Sequence, residues 1–262
     1  FTFGKHIEGA VDYYMKKTDG QIFDRFVGPS SGLSSITVND GEVENSGIEI
    51  DLTGHLINKE NFSLDFSING EFLTNKLTAM PIDPATGDPQ ILTPNGYYAW
   101  SQGSSLFDFY TREWAGVDPS DGAPMWFQYY DDINDNNALD AGEPSSSSAG
   151  SWIPVDSDIE NRTGSIVEYR KNVSNSNIKK QVTKTYADAS EVYANKSGIA
   201  DIRGAFRLTG KLYDFSFSTQ FTYSLGGYAY DAQYAELMTD RFGAVGNNFH
   251  TDISNRWQNA GD

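Results

Sequence analysis

Asp132, Asn134, Asn136, Asp140 and Glu143 stand at positions 1, 3, 5, 9 and 12 of the stretch DINDNNALDAGE. Oxygen-bearing side chains at that spacing, with the carbonyl of position 7 (Ala138), form the ligand pattern of an EF-hand-type loop around Ca²⁺. The expected set is therefore Asp132, Asn134, Asn136, the Ala138 carbonyl and Glu143, with Asp140 acting directly or through a water. Leu139 supplies the apolar residue behind such a site. Asn137 fills position 6, where a positive φ is needed and Asn tolerates it best after glycine. No amphipathic helix flanks the stretch, so an ion here would stiffen a loop. The same residues also make an ordinary acidic, Asn-rich surface loop.

Other chemistry is sparse. His6, His55 and His250 lie far apart, and there is no cysteine. A G-x-S-x-G elbow and an H-E-x-x-H pair are both missing, so no hydrolase signature remains and no enzyme is expected. Glu8/Asp12 and Asp65/Glu71 have the look of paired glycosidase carboxylates, but on alternating strands they read as solvated charges. His250 lies near Asp252 and Arg256 in a segment that reads as loop-anchoring hydrogen bonds. The run GYYAW (96–100) either stacks sugars or packs a loop, and EPSSSSAGS (143–151) has a flexible-loop composition.

The elements that must carry these residues are strands. Ile48, Ile50, Leu52 and Leu56 alternate with Glu49, Asp51, Thr53 and His55. Past a short turn, Phe62, Leu64, Phe66, Ile68 and Phe72 alternate with Ser63, Asp65, Ser67, Asn69 and Glu71. Phe206, Leu208 and Leu212, then Phe215, Phe217, Phe221, Tyr223 and Leu225, repeat the pattern. Ile7, Val11, Tyr13 and Met15 open it. Period two gives each strand one apolar and one polar face. Short turns fall near Gly4–Lys5, Asn58–Asn61, 116–124 and Lys211–Asp214, and long polar stretches near 24–44, 75–100 and 128–200. Short turns at one end and long loops at the other describe a transmembrane antiparallel β-barrel.

Composition permits this and excludes much else. Mean hydropathy is −0.50 and no apolar run is long enough for a transmembrane helix, but barrel strands average out as polar. The net charge of −17 disfavours duplex nucleic acid as a partner. The alternative architecture is a soluble or surface-attached, calcium-stabilised β-rich carbohydrate-binding module, whose strands also alternate. Tyr13, Tyr14, Trp114, Trp126, Tyr223 and Tyr228 are expected near strand ends as an interfacial girdle, and Gly47 at the mouth of a strand. No signal peptide or closing strand is legible, so a stretch of a longer polypeptide is expected.

The motifs DYYMKKTDGQIF (12–23), NSGIEI (45–50), FSLDFSINGEFLTNKLTAMP (62–81), WAGVDPSDGAPMWF (114–127), GGYAYD (226–231) and NNFHTDISNRW (247–257) occur in that order. Together they resemble the C-terminal barrel region of the SusC/RagA-like, TonB-dependent outer-membrane transporters. The resemblance implies that residues 1–262 form about seven or eight strands of a barrel of roughly 22. On this reading 128–200 is a long extracellular loop, and the plug domain lies outside this chain. It further implies import of oligosaccharides or peptides across the bacterial outer membrane, in contact with its lipid. The implied partners are a SusD-like surface lipoprotein and, through the N-terminal part, the TonB–ExbB–ExbD complex.

Overall fold

The computed structural model describes the chain apart from residues 29–30, 85–86, 95, 146–172, 174, 240–245, 247 and 262. In chain order the strands are β1 (Thr2–Phe3), β2 (Ile7–Phe26), β3 (Ser35–Lys59), β4 (Phe62–Ala79), β5 (Asp108–Arg112), β6 (Trp114–Val117), β7 (Pro124–Asp131), β8 (Ile178–Thr183), β9 (Glu191–Ser197), β10 (Ile202–Leu212) and β11 (Phe215–Leu225). The chain divides into two compact units, one holding Phe1–Phe109 and Asn195–Tyr228, the other most of what lies between and after them.

The first unit is built on a six-stranded antiparallel sheet in the order β1-β2-β3-β4-β10-β11. Its register carries the alternation across every strand. Val11 lies opposite Ile50, Tyr13 opposite Ile48, and Leu52 opposite Ile68. Phe66 pairs with Leu208, Ile68 with Phe206, and Phe206 with Phe221. These residues share one face, as the period-two reading expects, and among the described residues no second layer covers it: Tyr13 is 67% and Phe215 81% exposed. The other face carries Glu8, Asp12, Glu49, Asp51, Asp65, Glu71, Arg203 and Arg207.

Several expectations need correction. A β-bulge between His55 and Ile57 takes Leu56 out of the alternation and gives its place to Ile57, opposite Leu64. Gly47 lies inside β3 and not at its mouth. Most of 24–44 is strand, because β2 runs to Phe26 and β3 starts at Ser35; bulges near Gln21 and Glu42 blurred the period there. Tyr13 and Tyr14 sit within β2 on opposite faces, so Tyr14 belongs to no outward girdle.

The larger correction concerns strand count. β4 pairs directly with β10 along ten residue pairs, from Phe62↔Leu212 to Glu71↔Arg203. Everything from 80 to 201 is therefore one excursion that leaves and rejoins the sheet at the same end. The turn at 116–124 is not a short turn of this sheet. It joins β6 to β7 in a separate three-stranded sheet, β6-β7-β8, while β5 pairs with β9. Strands β8 and β9 also interrupt the 128–200 stretch that reads as loop; the serine-rich run beyond Ser145 lies outside the described residues.

The faces exchange polarity along the same strands. From Phe62 to Phe72 the face bearing Phe66 and Ile68 is apolar. One step further its rows read Met15–Ser46–Thr74 and then Lys17–Glu44–Lys76. On the opposite face Val43 and Leu77 now pair, and with Phe23 and Met80 they form a buried cluster. Leu92, Trp100 and Leu106 of the 80–107 segment pack against it. The Trp100 ring lies tilted against Phe23 with centroids 5.6 Å apart, and Gln90 bridges to β2 through the Phe26 N–H and the Asp24 carbonyl. GYYAW thus supplies packing at Trp100 and at Ala99, which is fully buried.

Candidate functional site

The polar face of the six-stranded sheet carries a directly opposed row, Asp12–Glu49–Glu71–Arg203, across β2, β3, β4 and β10. Like charges opposite one another destabilise a sheet by a few tenths to about 1 kcal/mol each, so the row costs stability. It is relieved at one end. Arg203 Nε donates to Glu71 at 2.6 Å, and the Tyr14 hydroxyl donates to the same carboxylate at 2.7 Å. Tyr14 reaches Glu71 by lying across Gly47, where a Cβ would come within 2.8 Å of its ring and 2.7 Å of its hydroxyl. Tyr223 does the same on the apolar face: it lies over Gly204 and donates to the Asn69 carbonyl at 2.9 Å.

Asp12, Glu49, Asp51, Asn69 and Arg203 line an open concavity of about 460 Å³ on this wall. Towards the short turns, His55 Nδ1 lies 2.7 Å from Asp65, and its Nε2 lies 3.9 Å from Glu8. These are wall-tying and solvated charges. Glu8 and Asp12 share β2, and Asp65 and Glu71 share β4; at about 3.4 Å per residue the pairs stand about 13 and about 20 Å apart along their strands, wider than the roughly 5–9.5 Å of a two-carboxylate hydrolysis site.

The acidic loop follows β7 directly, with no helix flanking it among the described residues. Asp131 N–H donates to the Pro144 carbonyl, and Tyr130 bridges to Ser145, which closes 132–143 into a compact loop. Asp132 is 1% and Glu143 8% exposed. Asp132 accepts from the backbone N–H groups of Asn136 and Asn137, and Glu143 from those of Ile133 and Asp140. Asn137 takes φ 61°, as expected for position 6, and Asp135 at position 4 takes φ 60°. Asn134 and Asn136 turn their amide nitrogens to Asp140 at 2.7 and 2.6 Å. Among the described residues no three acidic or histidine groups are arranged to hold an ion. Tyr130, buried beneath, is held above the usual phenol range by desolvation first and then by Asp132, Glu143 and Asp140. Asn177 ties the loop to β8, donating to Asp131, Asp132 and Asp135.

The 116–124 turn is gripped from two sides. Lys184 binds Asp118 and Asp121, and with Ser120 it holds the Asp118 carboxyl well below its ordinary range. Trp257 covers Gly122, where a Cβ would sit 2.3 Å from the indole, and donates to the Pro119 carbonyl at 3.1 Å. His250 accepts from Asp252 N–H, and Tyr234 donates to the Asp252 carboxylate, which fits the loop-anchoring reading of that segment. No spacing in the sequence marks Lys184, Tyr14 or Trp257 for these roles. Only the aromatic-to-glycine pairing leaves a trace in the sequence, and it needs the register to be read.

No protein-family model matches the chain. It is 31% identical over 126 residues to TonB-dependent receptor P3 of Formosa agariphila, covering 44% of this chain and 12% of that protein. It is 27% identical over 115 residues to TonB-dependent receptor P39 of the same organism, covering 44% of this chain and 10% of that one. The solved RagAB peptide transporter superimposes with a TM-score of 0.62 at 19% identity, over 99% of this chain and 24% of its own. The RagAB peptide importer in its open-open state gives 0.57 at 20% identity, over 86% and 19%. The chain therefore spans about a tenth of the curated relatives and up to a quarter of the solved chains. The resemblance carried by the six motifs stands in both sequence and fold.

Proposed function

From a chain that is similar in sequence to TonB-dependent receptors and has the fold of part of a SusC/RagA-like transporter, we propose that its six-stranded sheet is a section of an outer-membrane β-barrel wall. The whole protein then imports an oligosaccharide or a peptide in a TonB-dependent manner. The observation that carries this is the exchange of face polarity. Phe62 to Phe72 spans about 34 Å of strand at about 3.4 Å per residue. At a tilt of about 40° that becomes a band about 25 Å tall, the height of the apolar belt on such barrels. Within it the outer face is apolar and the inner face wet. Beyond it the outer face turns charged, and the inner face is sealed by the 80–107 segment.

A soluble carbohydrate-binding module would bury that apolar face under a second sheet; its exposure favours lipid as the covering phase. Long connections on such barrels face outward and short turns the periplasm, so the 80–201 excursion is extracellular. A SusD-like lipoprotein lid over it, and energy from TonB–ExbB–ExbD through the N-terminal part, complete the reading. The solved neighbours are peptide transporters, which favours peptide cargo, although a wall of acids, amides and hydroxyls suits either class. No catalytic role is proposed.

The 132–143 loop is proposed as a structural Ca²⁺ site outside the membrane. Support comes from its spacing and the positive φ at Asn137. Binding requires Asn134 and Asn136 to release Asp140 and present their amide oxygens instead.

Because the chain lacks cysteine, single cysteines report on the wall directly. In intact outer membranes, cysteines at Leu64, Phe66 and Phe206 should resist a water-soluble maleimide, while those at Thr53, Ser67 and Thr209 react. Equal reaction on both faces would remove the barrel reading. Growth on a polymeric glycan or peptide that survives deletion of the gene would remove import of that nutrient.

A further inference from the structure

The polar face of the six-stranded sheet sorts its charges by strand. Its acids stand on β2, β3 and β4, and β10 and β11 contain none. Arg203, Arg207 and Lys211 share that face on β10, beside the hydroxyls and single amide of β11. The two kinds of strand meet in the open concavity that runs from Asp12 to Arg203, whose volume of about 460 Å³ is that of a small-ligand site. It lies level with Ile48 and Phe72, at the outer edge of the apolar band.

The charges around it are only partly spent on one another. Glu71 is taken up by Arg203 and Tyr14. Arg203 uses Nε alone for that bond; its Nη1 and Nη2 make none among the described residues, and its side chain is 56% exposed. This two-pronged end matches a carboxylate. Across the concavity, Asp12, Glu49 and Asp51 make no ion pair among the described residues. Neighbouring strands lie about 4.8 Å apart, so Arg203 stands about 10 Å from Glu49 and about 14 Å from Asp12 across the sheet. An extended peptide advances about 3.4 Å per residue and covers those spans in three and four residues.

We propose that this concavity seats an extended peptide lying across the strands. Its ammonium group rests on Asp12, Glu49 and Asp51, and a carboxylate three or four residues away is held by the Arg203 fork. Asn69 gives its side-chain oxygen to the Ala205 N–H at 2.9 Å, which leaves its amide nitrogen to donate to a peptide carbonyl. An oligosaccharide has no ammonium for the acidic flank, so the opposed charges favour a peptide. The inference rests on the barrel-wall reading and narrows its cargo to one class.

The test measures binding of tetraalanine with free termini to the full-length protein in detergent, by calorimetry. N-acetylation removes the ammonium and C-amidation the carboxylate. Each should weaken binding about ten-fold, the worth of one charge-assisted bond. Dialanine spans only about 7 Å and should lose as much. In D12N/E49Q/D51N, whose side chains tie no strands together, the acetylation penalty should vanish while the amidation penalty stays; R203Q should show the reverse. Equal binding of free and capped peptides overturns the proposal, as do penalties unchanged in the variants, or tetragalacturonate binding as tightly as tetraalanine. Heat-modifiable gel mobility, read on every sample, separates the two readings. A protein that never acquires it sinks the barrel wall and this site with it, whereas a folded protein that ignores capping overturns this proposal alone.

Discussion

At Gly47 a missing side chain decides where another one lies. A Cβ there would meet the Tyr14 ring, its hydroxyl and the Phe72 carbonyl, all under 3 Å. Gly54, seven residues along the same strand, has nothing nearer than 3.8 Å. Overpacking costs about 1–3 kcal/mol, so Gly47→Ala should lower the unfolding free energy of the refolded protein, read from urea titration, by that much. Gly54→Ala should be neutral, or stabilise by up to about 1 kcal/mol through the unfolded chain. Equal effects would mean that the ring does not need the glycine. At the acidic loop, Glu143→Gln should abolish Ca²⁺-dependent protection of the 132–143 segment from proteolysis, with half-protection of the wild type at about 10⁻⁴ M or weaker. Protection unaffected by chelator would dismiss the ion. The spacing of these oxygens and the positive φ at Asn137 were legible in the sequence. The hydrogen bonds that close the loop on itself were not, because they depend on backbone N–H directions that no spacing encodes.

Strands were the legible elements, and their edges were not. Alternation at 48–52, 62–72, 206–212 and 215–225 sets which face is apolar, since a one-residue slip would turn every side chain over. On that basis, and on the barrel-wall proposal, Phe66→Arg in mid-band should cost about 2–4 kcal/mol, and Asp65→Arg much less. Refolding titrations into lipid vesicles measure both, and similar losses would refute the assignment. The bulge at His55/Ile57 escaped because Leu56 and Ile57 are both apolar, so either phase looks acceptable in the sequence. The reach of β2 and β3 past the apolar band escaped for a different reason. There the inner face turns apolar to meet the 80–107 segment while the outer face turns polar, and a strand whose faces trade roles averages to a featureless polar run.

For the molecule as a whole, the direct β4–β10 pairing was the least legible feature, because a turn such as 116–124 looks the same in a wall as in an excursion. The excursion has a narrow neck: Gly198 N–H donates to the Phe107 carbonyl at 2.9 Å. Chain ends held that close can be joined by a two-residue Asn-Gly turn. Replacing 108–197 in this way should leave outer-membrane insertion and heat-modifiable mobility intact while nutrient uptake is lost. A variant that cannot insert would show that the wall depends on the insert. The neck also bears on how fast the wall forms. Ala79 and Ile202 are separated by about 120 residues, and closing an open loop of that length costs about 4 kcal/mol in chain entropy beyond a constant. With Phe107 and Gly198 already joined, the effective loop shrinks to about 30 residues and the cost falls by about 1 kcal/mol. Local closure of the insert would thus hasten pairing of the two distant strands β4 and β10 several-fold, making the excursion a pacemaker for assembly of the sheet it interrupts.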